Sequence, residues 1–121
     1  MEQNEEARML LEQCVDLGYG FEEDEREPVI DRLMPLGRRL QKVDPEKIRI
    51  EVGAKDREGP EQRVVVEVAI ASKGATTFVG TSTKPELDPA LDEARSDVIR
   101  QINYWKGKHE EQRRNGFHRP E

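Results

Sequence analysis

Apolar residues recur along this chain with two different periods, and the change from one to the other predicts the order of its elements. From Asp24 to Val43 the apolar positions Val29, Leu33, Leu36, Leu40 and Val43 are spaced four, three, four and three residues apart, one stripe of a helix. The acids from Glu22 to Glu27 suit the positive end of a helix dipole and Pro28 suits a first turn, so the start is expected at 24–27. Pro35 removes one backbone bond in mid-helix and crowds the carbonyl of Asp31, which predicts a kink or a break into two pieces. After Asp44-Pro45 the period drops to two in three runs: Lys47–Ala54, Gln62–Ala71 and Thr76–Thr83. The links DREGPEQ and SKGA are short and rich in turn formers, so the runs are expected to pair as an antiparallel meander. Val65 and Ala69 make both faces of the middle run fairly apolar, which places it centrally.

Helical spacing returns at the end. Asp88 is the expected N-cap with Pro89 in the first helical position, and Leu91, Ala94, Val98, Ile102 and Trp105 hold one face. Gly107 is the expected stop, and residues 109–121 lack periodicity and read as a flexible tail. At the other end, residues 1–12 are polar and expected to be flexible. Asn4 with Glu5 and Glu6 suits the cap of a short helix reaching Gly18, whereas the alternation Val15, Leu17, Tyr19, Phe21 suits a strand, and the pattern leaves both open.

Length changes the picture only by bounding it, since 121 residues hold one modest core. With 5% aromatic residues that core must be built from Val, Ile and Leu. Charge changes it more. The net charge of −6 argues against a nucleic-acid partner until its distribution is considered. Residues 1–31 hold eleven acids and two bases, leaving the remaining ninety residues at +3. Cys14 is the only cysteine, which excludes an internal disulfide framework and fits a reducing, cytoplasmic compartment. No apolar run reaches the ~20 residues of a membrane span, and MEQNEEAR is acidic where a signal peptide would be basic.

Candidate chemistry is sparse. There is no glycine-rich phosphate loop and no clustered ligand set, His109 and His118 fall in the expected tail, and Asp92 and Glu93 point about 100° apart on a helix, so no catalytic residue, metal or cofactor is expected. Cys14 lacks basic neighbours in sequence and reads as a passive thiol. The basic residues carry more. Arg32, Arg38, Arg39 and Lys42 fall away from the apolar stripe of the first long helix, Arg100 points opposite Leu91 and Val98, and Lys106 and Lys108 flank the end of the last helix. Two helices side by side on one sheet face would merge these into a ridge suited to phosphate backbones, with Tyr104 and Trp105 available for stacking. Solubilising charge is the plain alternative for each residue taken singly.

The order strand, helix, three strands, helix resembles the ribosome hibernation-promoting factor family, the protein-Y-like ribosome-associated inhibitors. The last helix, ALDEARSDVIRQINYWKGK, is similar to the family pattern Ala-Ile-Asp-Glu-Ala, a spacer, Leu-x-Arg-Gln-Leu and a Lys-rich end. Ala90, Leu91, Asp92, Glu93 and Ala94 carry the first part, and Arg100, Gln101, Ile102, Lys106 and Lys108 the second. GYGFEEDEREPVIDRL is similar to the family's first loop and helix start, and favours strand over helix for residues 13–18. DREGPEQR and VVVEVAI fit its central strands. The resemblance spans residues 13–108 and implies an α+β, two-layer β-α-β-β-β-α domain, a four-stranded sheet with two helices packed on one face. It implies a short form of the family without the C-terminal dimerisation domain. The implied activity is non-enzymatic: binding the small ribosomal subunit where messenger RNA and anticodon ends lie, so that idle ribosomes are silenced. The family carries more Lys or Arg on its last helix, where this chain has Asp97, Asn103 and Tyr104, and its first helix is smooth where this one has Pro35 and Gly37. The expected RNA-binding residues are Arg38, Arg39, Lys42, Arg95, Arg100, Lys106 and Lys108. The expected partner is small-subunit ribosomal RNA, with no membrane and no small-molecule substrate, and a weak homodimer is left open. A protein-interaction module docking a basic partner through the acidic stretch from Glu2 to Asp31 is the alternative, and a general binder of RNA duplexes a third.

Overall fold

Four strands form one mixed sheet in the computed structural model, which describes the backbone of residues 2–71 and 74–118 and the side chains of residues 4–71 and 74–107. β1 (Val15–Leu17) lies parallel to β2 (Ile48–Lys55), which pairs antiparallel with β3 (Arg63–Ile70), itself antiparallel to β4 (Thr76–Ser82), in the order β1-β2-β3-β4. Three helices complete the fold: α1 (Glu2–Cys14), α2 (Arg26–Leu40), which crosses from β1 to β2, and α3 (Leu87–His118). Period-two patterning sends Ile48, Ile50, Val52 and Ala54, then Val64, Val66, Val68 and Ile70, then Phe78, Gly80 and Ser82 to one face, where all are buried. Helices α2 and α3 cover that face with Val29, Leu33, Leu36 and Leu40 from one and Leu91, Ala94, Val98 and Ile102 from the other. The meander, the central place of β3 and the two helices on one face all match the sequence pattern.

The first helix is the main addition. The segment expected to be flexible is helical, and it joins the core through Ala7, Leu10, Leu11 and Cys14. Helix and strand were competing readings of the N-terminal stretch, and the chain uses both in succession, changing from one to the other between Cys14 and Val15. α1 rests on α2 at Gly37, where a Cβ would stand 3.0 Å from the Ala7 carbonyl oxygen and from Leu11 Cδ1. Arg26 closes the end of α1 by donating to the carbonyls of Glu12 and Val15. Arg8 bridges to Glu27 and Asp31 of α2.

Pro35 does not split α2, which runs without interruption through it. Burial of Leu33, Leu36 and Leu40 on either side holds the turn that lacks one bond. α3 begins one residue before the expected cap, with Ala90 N–H donating to the Glu86 carbonyl, so Asp88 sits inside the first turn and turns to Arg32 instead. Nor does Gly107 end α3, since the helix continues to His118. Gly80 sets the spacing of α3 on the sheet, because a Cβ there would fall 2.1 Å from the Ala94 carbonyl oxygen. Among the described residues no helix is long and apolar enough to cross a membrane.

Candidate nucleic-acid interface

Helices α2 and α3 run parallel. Arg32 meets Asp88 and Asp92 near their N-terminal ends, and Lys106 meets Arg39 near the C-terminal end of α2. A parallel pair with acids early and bases late in each helix gathers like charges at each end of the layer. The basic end consists of Arg39 and Lys42, both exposed, with Lys106 folded against them. The Lys106 ammonium donates to the Arg39 carbonyl at 2.7 Å, filling one of the acceptors that a helix leaves open in its last turn. Partial burial, and then the charges of Arg39 and Lys42, hold the Lys106 pKa below its ordinary value. Three cations thus share a small surface at a cost that a bound phosphate would relieve.

The other predicted residues fall elsewhere. Arg38 is exposed but leans onto α1, its Nε donating to Asn4 Oδ1 at 3.1 Å. Arg95 is committed to the fold: only 19% exposed, it donates from Nη1 to the Arg32 carbonyl at 2.8 Å and to Asp92 at 3.1 Å. Arg32, expected to be free, is held by Asp88 at 3.0 Å and Asp92 at 2.9 Å. Arg100 is 76% exposed and paired with Asp97 at 2.8 Å, but it borders a cleft with Thr81, Ser82 and Ser96 on the β4 flank of α3, away from α2. The side chain of Lys108 lies outside the described residues, as do those of His109, Arg113, Arg114, His118 and Arg119. The continuous ridge expected along both helices is therefore replaced by a basic end built from Arg39, Lys42 and Lys106. Trp105 packs edge-to-face on Phe78, with ring centroids 5.6 Å apart, while Tyr104 is exposed.

Two residues at which the chain matches or departs from the family pattern do structural work. Gln101 reaches the outer edge of β4, where its amide accepts from Val79 N–H at 3.3 Å and donates to the Val79 carbonyl at 2.7 Å. Asp97 accepts from Arg100 Nη2 at 2.8 Å, and that bond first, then the one from Gln101, holds its carboxyl below the ordinary aspartate range. Side chains of α3 so occupy the edge that another strand would need.

Cys14 is buried, its thiol donating to the Pro45 carbonyl at 3.3 Å, and burial followed by the charge of Asp16 raises its pKa. That environment disfavours the nucleophilic thiolate. Among the described residues no group of His, Cys, Asp and Glu side chains forms a set that would hold a metal ion. No protein-family model matches the chain, and no curated protein matches it.

Proposed function

We propose that this protein is a cytoplasmic, ribosome-associated translation inhibitor that binds small-subunit RNA through the basic end of its helical layer. The observation that carries this is the convergence of Arg39 and Lys42, at the C-terminal end of α2, with Lys106 of the α3 stretch beside it, clear of the acidic N-terminal ends of both helices. Such a cluster reads phosphate rather than base edges, because its donors are flexible cations with no fixed frame for a base. The final-helix likeness to hibernation factors supplies the ribosome as target. The protein acts by occupying RNA, without bond-making chemistry.

Three phosphate contacts give a log-log salt slope of roughly −2 to −3. Co-sedimentation with purified small subunits across a salt series is expected to show that slope, and a flat series would overturn the reading. A second reading, docking of a basic protein on the acidic third, is favoured by one observation: α1 fixes that third against α2 with Glu5, Glu6 and Glu12 exposed. Pull-down from nuclease-treated lysate separates the two, since a protein partner survives the treatment and an RNA anchor does not.

A further inference from the structure

The sheet face turned away from the helices carries its charges in rows. Strand register aligns Asp16 with Glu51 and Glu51 with Glu67, three carboxylates across three strands. Two residues further along, Gly53 stands opposite Val65, and two further again Lys55 stands opposite Arg63. The acidic and basic rows lie about 13 Å apart with an uncharged row between them. Like charges directly opposite across strands destabilise a sheet, and none of these five side chains enters an ion pair among the described residues. Between the rows runs a groove of about 470 Å³ floored by Gly53 and Val65 and walled by Tyr19, which is 75% exposed.

We propose that this face is a homodimer interface, occupied by a second copy of the chain related by a two-fold axis that crosses the strands at the Gly53–Val65 row. That operation lays the acidic row of each copy on the basic row of the other, twice, which is the self-complementarity an isologous contact requires. A two-fold axis along the strands would set acid on acid. The chosen axis also brings both Tyr19 side chains to the β1 side of the interface, over the groove. Arg49, one row beyond the acids, faces the turn after Lys55 in the second copy. The edges of the sheet offer no comparable route: Gln101 takes both backbone groups of Val79 on β4, and Arg26 takes the Val15 carbonyl of β1. The interface lies on the opposite side of the molecule from the basic helical end and does not depend on RNA.

Sedimentation equilibrium tests it. At about 50 mM salt the 14.0 kDa chain is expected to associate to twice its mass as its concentration rises, with association about tenfold weaker near 500 mM salt. The pair Glu51→Lys with Glu67→Lys, and the pair Lys55→Glu with Arg63→Glu, are each expected to be monomeric alone and to form a heterodimer when mixed. If either pair fails to fold by circular dichroism, Tyr19→Glu replaces it and is expected to weaken association about tenfold. A wild-type chain that stays monomeric, variants that dimerise as the wild type does, or monomeric variants that ignore each other on mixing would overturn the proposal.

Discussion

Arg95 and Arg100 sit five residues apart on one helix with the same charge, yet one holds two helices together and the other reaches into solvent. Residue type shows that an arginine can bind phosphate, and periodicity shows that it avoids the apolar stripe. Neither shows that Asp92 and the Arg32 carbonyl lie within reach of Arg95, because those partners come from packing across α2 and α3. Arg32 was misread for the same reason. Lys106 was expected at a helix end but lies inside α3, and its union with Arg39 and Lys42 required knowing that the helices are parallel. A related pair gives a prediction. Arg57 donates to Glu25 at 2.8 Å and through a second, shorter bond, and with the Glu22 backbone it lowers the Glu25 pKa from 4.5 to about 2. A carboxyl depressed in the folded state adds stability above its unfolded pKa and loses it as pH falls through the folded value. Urea unfolding is therefore expected to show stability declining between pH 4.5 and 2, with part of that decline absent in Arg57→Ala. Equal declines in both would refute the pairing.

At the scale of elements, strands and long helices were legible because burial on one face imposes a single period on each. The N-terminal helix stood as one of two open readings because its composition is polar, although Ala7, Leu10, Leu11 and Cys14 hold the spacing i, i+3, i+4, i+7 that marks one buried face. The two leucines each contribute about 1.5–3 kcal/mol by burial, enough to hold a short acidic helix in place. Pro35 and Gly37 departed from a smooth helix, and Gly37 now has a reason: it is the notch into which α1 fits. Gly37→Val should force α1 away from α2, since a branched side chain meets backbone at Ala7 and the Leu11 side chain at once. Overpacking of this kind costs about 1–3 kcal/mol, to be measured as a lower unfolding midpoint in urea, with faster amide exchange confined to Ala7–Cys14. Unchanged exchange there would contradict the role given to Gly37.

Taken whole, the molecule has three surfaces of different charge. The N-terminal ends of α2 and α3 and the flank of α1 are acidic, the C-terminal end of α2 with Lys106 of α3 against it is basic, and the open sheet face carries rows of both signs. The net charge of −6 averages over them and describes none. Fold class could be inferred from the chain because one core must satisfy every element, whereas the binding surface could not be fully inferred, because which cations stay free depends on which acids the fold brings near them. Binding should accordingly follow the basic end and not the total positive charge. Co-sedimentation of purified small subunits with wild type, Arg39→Glu with Lys42→Glu, and Arg100→Glu, all at low salt, separates these. Ribosomal binding through the basic end predicts a loss of about tenfold or more for the Arg39–Lys42 pair and a change within about twofold for Arg100→Glu. No binding by the wild type, or equal binding by the wild type and the Arg39–Lys42 pair, would contradict it.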